Sequence, residues 1–128
     1  MDQDWNSPDE WVRYARVDLD LAIKAKLPGI MLEPLCFHAQ QAVEKALKAV
    51  LIFSGIPVPK IHSIERLTDL LPIDLRNSSD LIIPAILTEY ATGARYPWPG
   101  EPVSEEEYNE AIRLAESVVN WAEGVIRP

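Results

Sequence analysis

The chain has one cysteine, two histidines and five glycines among its 128 residues, and each scarcity removes a class of protein. The single thiol, Cys36, forbids an internal disulfide and suits a reducing compartment. Flanked by Leu35 and Phe37, it reads as a buried thiol rather than a reactive one. His38 and His62 stand 24 positions apart and give no metal-ligand spacing, so no metal site is expected. The glycines build no phosphate-cradling loop, and there is no Gly-x-Ser-x-Gly elbow. Apolar runs such as Val50–Phe53 and Leu81–Ile86, the latter interrupted by Pro84, fall far short of the ~20 residues that span a bilayer. The opening Met-Asp-Gln-Asp-Trp is acidic where a secretory signal would be basic and then apolar, so a cytoplasmic location is expected.

Positive charge is also scarce. Twelve Lys and Arg oppose twenty Asp and Glu, for a net charge of −8. Residues 31–62 are the one net-positive stretch, with three basic and two acidic groups; residues 99–128 carry two basic and seven acidic. A face able to neutralise many phosphates of a long duplex is therefore excluded, while a local anion site in the middle of the chain is not. A hydrophobic fraction of 48% with 25% charged residues is ordinary globular composition, which argues against disorder. The length suits a single domain over residues 1–128.

What is present is helical periodicity. Ser7-Pro8-Asp9-Glu10 supplies a cap, a first-turn proline and a capping-box acid. Trp11, Val12, Ala15, Leu19, Ala22 and Ile23 then share one face, and Tyr14, Val17 and Leu21 form a second apolar stripe. Two stripes imply burial on two sides, in a bundle or against a second subunit. A second helix is expected from Leu32 or Leu35 to Ser54, stopped by Gly55, with Ala39, Val43, Ala46, Leu47, Val50 and Leu51 as its core face. Ser63 caps a short helix over Ile64–Leu71, and the stretch from Asp74 to Ser79 reads as a turn. A further helix is expected over Asp80–Thr92, with Pro84 in its first turn or at a kink. Residues 97–102, Pro-Trp-Pro-Gly-Glu-Pro, form a loop. Ser104 and Glu107 make a capping box for a last helix, with Tyr108, Ala111, Ile112, Ala115, Val118, Val119, Ala122 and Ile126 on one face. The expected fold is all-α: an antiparallel bundle of four main helices plus one short helix.

Three features bear on chemistry. His38, Gln41, Lys45 and Lys48 form a stripe on the side of the second helix opposite its core face. The two lysines, three apart, place two ammonium groups within reach of one phosphate, and His and Gln can read a base or ribose. The same stripe also suits a solvated face with a Glu44–Lys48 pair at i,i+4. Lys60-Ile61-His62-Ser63 precedes a helix start, where free backbone N–H groups attract anions; His62 is either a ligand contact or a polar residue at the helix entrance. In Tyr90-Ala-Thr-Gly-Ala-Arg95-Tyr96-Pro97-Trp98-Pro99, an Arg beside aromatics suits a phosphate and a stacked base, and the segment equally suits a lid over a bundle end. The candidate nucleotide-binding residues are thus Lys45, Lys48, His62, Arg95 and Tyr96, with no catalytic residue and no cofactor assigned.

In order, the run Arg16-Val-Asp18-Leu-Asp20-Leu-Ala22, the segment Phe37-His-Ala-Gln-Gln-Ala-Val-Glu44-Lys45-Ala-Leu-Lys48-Ala-Val-Leu, the Gly55…Pro59-Lys-Ile-His62-Ser-Ile-Glu-Arg-Leu connector, Leu87-Thr-Glu-Tyr90…Ala94-Arg95-Tyr96-Pro97 and a closing amphipathic helix resemble the HEPN family, the higher eukaryote and prokaryote nucleotide-binding domains. The resemblance runs over nearly the whole chain. It implies a helical bundle that forms homodimers and works beside a minimal nucleotidyltransferase, often as a toxin–antitoxin or nucleotide-handling pair. Many members are metal-independent ribonucleases in which an Arg is followed, four to six residues later, by a His that assists 2′-OH attack. Here Tyr-Pro-Trp-Pro-Gly-Glu-Pro follows Arg95, with no later histidine. The resemblance therefore points to a non-catalytic domain that binds a nucleotide and a partner. A ribonuclease toxin with a departed motif and a purely structural adaptor are the alternatives; RNA is not the favoured ligand and no membrane is expected.

Overall fold

The computed structural model describes residues 7–58, 60–77 and 103–127. Among them are five helices: α1 (Pro8–Lys24), α2 (Leu32–Phe53), α3 (Ile64–Asp69), α4 (Ile73–Arg76) and α5 (Glu105–Ile126). The described residues contain no strand, and the all-α class expected from periodicity holds. The helix expected over residues 80–92 lies outside the described residues.

Helix α2 is the axis of the bundle. At 22 residues it is about 33 Å long, and it packs against α1, α3 and α5. Ala39, Ala42, Ala46 and Ala49 are fully buried, and their small side chains allow close approach of the neighbouring helices. Its end is a Schellman motif: Gly55 has φ +81°, the Ile56 N–H donates to the Leu51 carbonyl and the Gly55 N–H donates to the Ile52 carbonyl, both at 2.9 Å.

Side-chain contacts fix the helix directions. Lys26, after α1, pairs with Glu105 at the start of α5 (2.9 Å), while Arg127 beyond α5 reaches Asp9 in the first turn of α1 (3.0 Å). Helices α1 and α5 are therefore antiparallel. Glu33, at the start of α2, accepts from the Val103 N–H just ahead of α5 (3.4 Å), so α2 and α5 run the same way. Arg16 clamps the middle of the α1–α5 seam through Asn120 (2.7 Å) and Glu123 (2.5 Å). The Glu123 carboxylate raises the pKa of the guanidinium above its ordinary value. Tyr108 is buried and its hydroxyl donates to the Ala22 carbonyl (2.7 Å); burial pushes its phenol pKa up.

Several local expectations change. Ser7 makes no side-chain cap, and Glu10, the acid of the expected box, binds the Arg13 guanidinium instead of reaching back to the cap. The caps at Ser63 and Ser104 form, the second with its full reciprocal box. The short helix ends at Asp69 rather than Leu71, and Ile73–Arg76 is a helical turn where a polar loop was expected; Pro72, fixed at φ −53°, directs the chain into it. On α1 the core face is Val12, Ala15, Leu19 and Ala22, with Trp11 half-buried and Ile23 exposed. The second stripe is open to solvent at Val17 (55% exposed) and Leu21 (45%). Cys36 is fully buried.

Candidate functional site

One face of α2 that faces α1 is polar, and it does not point away from the protein as the stripe pattern had implied. Lys48 is only 7% exposed, and Gln40 and Glu44 are buried beside it. Between this face, the first turns of α1 and the segment that leads into α3 lies a cavity of about 330 Å³, lined by Trp11, Gln41, Glu44, Lys45, Lys48 and His62. Helical spacing explains the assembly. Positions 41, 44, 45 and 48 lie at intervals of three or four, along one edge of α2. Trp11 comes from the first turns of α1, and His62 from the residue before the Ser63 cap.

Two acidic side chains organise the polar face, and each serves one lysine and one histidine. Glu44 is 2% exposed; its Oε1 lies 3.2 Å from Lys48 Nζ and 2.5 Å from His62 Nδ1, and its Oε2 accepts from Gln40 Nε2 at 2.9 Å and Gln41 Nε2 at 3.4 Å. Every oxygen of this buried carboxylate is thus matched, as burial of a charge demands. Asp18, on α1, repeats the arrangement one turn further along: Oδ2 is 2.6 Å from Lys45 Nζ and Oδ1 is 3.2 Å from His38 Nδ1. Lys48 also sits over the Trp11 ring, 5.5 Å from its centroid, a cation–π contact that ties the floor of the cavity together.

Three of the five expected contact residues, Lys45, Lys48 and His62, therefore converge on one cavity from two separate segments. They do so in different states. Lys48 is locked in the interior, Lys45 is at the rim with its side chain 28% exposed, and the His62 side chain is 74% exposed. The Glu44–Lys48 pair anticipated as a feature of a solvated face is present, but buried. Arg95 and Tyr96 lie outside the described residues.

Sequence reasoning missed Asp18, Gln40 and the central place of Glu44, and took Trp11 for plain core. The signal for Asp18 was available: Ala15, Asp18 and Ala22 follow at helical intervals, which puts a carboxylate on an otherwise apolar face. A second cavity of about 390 Å³ lies at the other end of α1, under the α1–α2 turn, lined by Lys26, Leu27, Pro28, Gly29, Ile30, Leu32 and Glu105. Its charged groups, Lys26 and Glu105, are paired with each other. Among the described residues no group of three or more His, Cys, Asp or Glu could hold a metal ion, and no helix is long and apolar enough to cross a membrane.

The first cavity presents several polar and aromatic groups to solvent. It combines an aromatic ring, an ammonium at the rim, and amide and imidazole groups that can donate or accept.

Comparison with known proteins agrees with this architecture. A model of the HEPN domain matches residues 8–125. The crystal structure of ST0689, an archaeal HEPN homologue, is 33% identical with a TM-score of 0.69, covering 94% of this chain and 98% of that one. The crystal structure of TT1696 from Thermus thermophilus is 30% identical with a TM-score of 0.71 over the same shares of the two chains. No curated protein matches.

Proposed function

The chain belongs to the HEPN domain family, and from that premise we propose that it is a non-catalytic nucleotide-binding and partner-binding domain whose ligand enters the cleft between α1 and α2. The observation that carries this reading is the convergence of Lys45, Lys48 and His62 on one cavity with Trp11. The indole supplies surface for a base, the ammonium at the rim supplies a phosphate contact, and Gln41 and His62 supply polar edges. Arg95 and Tyr96 are further contacts in this proposal. Self-association is assigned to the open stripe of Val17 and Leu21 on α1, and the working partner to a minimal nucleotidyltransferase, as in a toxin–antitoxin or nucleotide-handling pair.

Calorimetric titration of the purified protein with purine nucleotides tests the ligand. Saturable binding is expected, and absence of binding at millimolar ligand removes the reading. Light scattering on the wild type and on Leu21→Glu tests the dimer: the wild type should have twice the monomer mass and the variant should be a folded monomer.

One observation favours a second reading. His62 has its Nδ1 held by a buried carboxylate, the arrangement that orients an imidazole for proton transfer. Under that reading the protein cleaves RNA without metal, and His62→Ala abolishes cleavage; a wild-type preparation that leaves RNA intact dismisses it.

A further inference from the structure

The charges around the cleft are nearly cancelled before any ligand arrives. Lys48 is matched to Glu44 and Lys45 to Asp18. Among the described residues, each of the two lysines that line the cleft is thus matched by a carboxylate, with no surplus of lysine or arginine charge. The two pairs differ in how readily they open. The Lys48 side chain is 8% exposed and Glu44 2%, so this pair has no open path to a ligand, whereas the Lys45 side chain is 28% exposed at the rim. Asp18 is 12% exposed and keeps a second partner, His38, whose Nδ1 is 3.2 Å from its other oxygen. A neutral imidazole that donates from Nδ1 continues to satisfy Asp18 when Lys45 moves away. Lys45 can thus turn to a ligand while the rest of the network stays intact.

From this asymmetry we infer that the cleft takes a nucleoside monophosphate, its single phosphate held by Lys45 while Lys48 stays bound to Glu44. This deepens the nucleotide-binding reading above and rests on it. A monophosphate carries about 1.5 to 2 negative charges at neutral pH, of which one released ammonium offsets about half to two-thirds. A triphosphate carries roughly twice that and would bring its extra charge against Asp18 and Glu44.

The experiment is calorimetric titration of the full chain with adenosine, adenosine and guanosine monophosphates, and the corresponding triphosphates. A short single-stranded oligonucleotide and the variants Lys45→Met and Lys48→Met complete the set. A monophosphate should bind about tenfold or more tightly than its triphosphate. Lys45→Met should weaken the monophosphate about tenfold and leave adenosine unchanged, and Lys48→Met should lower thermal stability more than Lys45→Met does. Triphosphate binding that equals or exceeds monophosphate binding overturns the inference and leaves the nucleotide reading standing. So does an unchanged monophosphate affinity in a folded Lys45→Met protein. An oligonucleotide that binds far more tightly than any mononucleotide replaces the ligand class with RNA. If no nucleotide binds at all, both readings fall together.

Discussion

Removing the Lys48 ammonium tests whether the polar centre of α2 is as interdependent as its geometry implies. Lys48→Met keeps much of the aliphatic stem and deletes the charge. At 3.2 Å and an effective dielectric of about 20, the lost attraction to Glu44 is about 5 kcal/mol before desolvation is subtracted. Methionine no longer has to desolvate an ammonium, which returns part of that sum. Glu44 itself remains buried and keeps His62, Gln40 and Gln41 as partners. The expected net loss is about 2–3 kcal/mol, at or just below the lower end of the range for breaking a buried pair from one side. Urea denaturation reads it as a lower midpoint with an unchanged m-value. The decisive measurement is the double variant. Glu44→Gln alone strands the buried Lys48 charge, so it is destabilising too; combined with Lys48→Met it removes both charges at once. The pair should cost less than the sum of the single changes by about 1–3 kcal/mol. Strict additivity, or a Lys48→Met loss under about 0.5 kcal/mol, would refute the claim that these two charges hold each other in the interior.

Arg16→Ala should cost about 1 kcal/mol by unfastening α1 from Glu123 and Asn120, and the cost should shrink at high salt because both ionic side chains are 32% exposed. Tyr108 gives the pH dependence. Its folded-state pKa is raised by burial from an ordinary value near 10, so the unfolded chain loses the phenolic proton first and stability falls as pH rises beyond that value. Tyr108→Phe should remove this alkaline loss in denaturation curves taken between pH 8 and 11, at a cost of about 1 kcal/mol at neutral pH for the hydrogen bond to Ala22. Gly55→Ala should lower stability by about 1 kcal/mol. The added methyl meets nothing within 4 Å, so the penalty comes from the positive φ alone.

Periodicity made the long helices legible because their apolar faces are nearly uninterrupted. The expected α2 core residues Ala39, Val43, Ala46, Leu47, Val50 and Leu51 are all buried; on α5 Tyr108, Ala111, Ala115, Val118, Val119 and Ala122 are buried, Ile112 and Ile126 are half-buried, and Trp121 is added at the margin. The polar cleft was less legible. A stripe of His38, Gln41, Lys45 and Lys48 has the same pattern whether water or another helix lies opposite it. What settles the matter is Asp18 on α1, 27 positions from Lys45, and no local pattern encodes that pairing. The Ser7 capping box failed for a related reason: Glu10 suits a reciprocal cap and an i,i+3 pair with Arg13 equally well, and the sequence does not rank them. Resemblance to the HEPN family added the ordered set of segments, which periodicity could not supply.

Stability gives little reason for Gln40, Glu44 and Lys48 to occupy the central helix. A buried ionic cluster recovers its desolvation cost only with complete hydrogen bonding, and well-packed apolar residues of similar size are often as stable or more so. On α2 the neighbouring positions Val43, Leu47 and Leu51 show that the helix accommodates aliphatic side chains freely. The polar residues are also not scattered: Gln40, Gln41, Glu44 and Lys48 interact with one another, and the group ends at an open cavity rather than in solid core. Twice here a carboxylate holds one lysine and one histidine, Glu44 through a single oxygen deep in the cleft wall and Asp18 through its two oxygens at the rim. The deep pair fixes the cleft wall, and the rim pair can open. A rigid wall beside one exchangeable cation is what selective anion binding requires, because the ligand need not pay to order the wall and displaces only one partner.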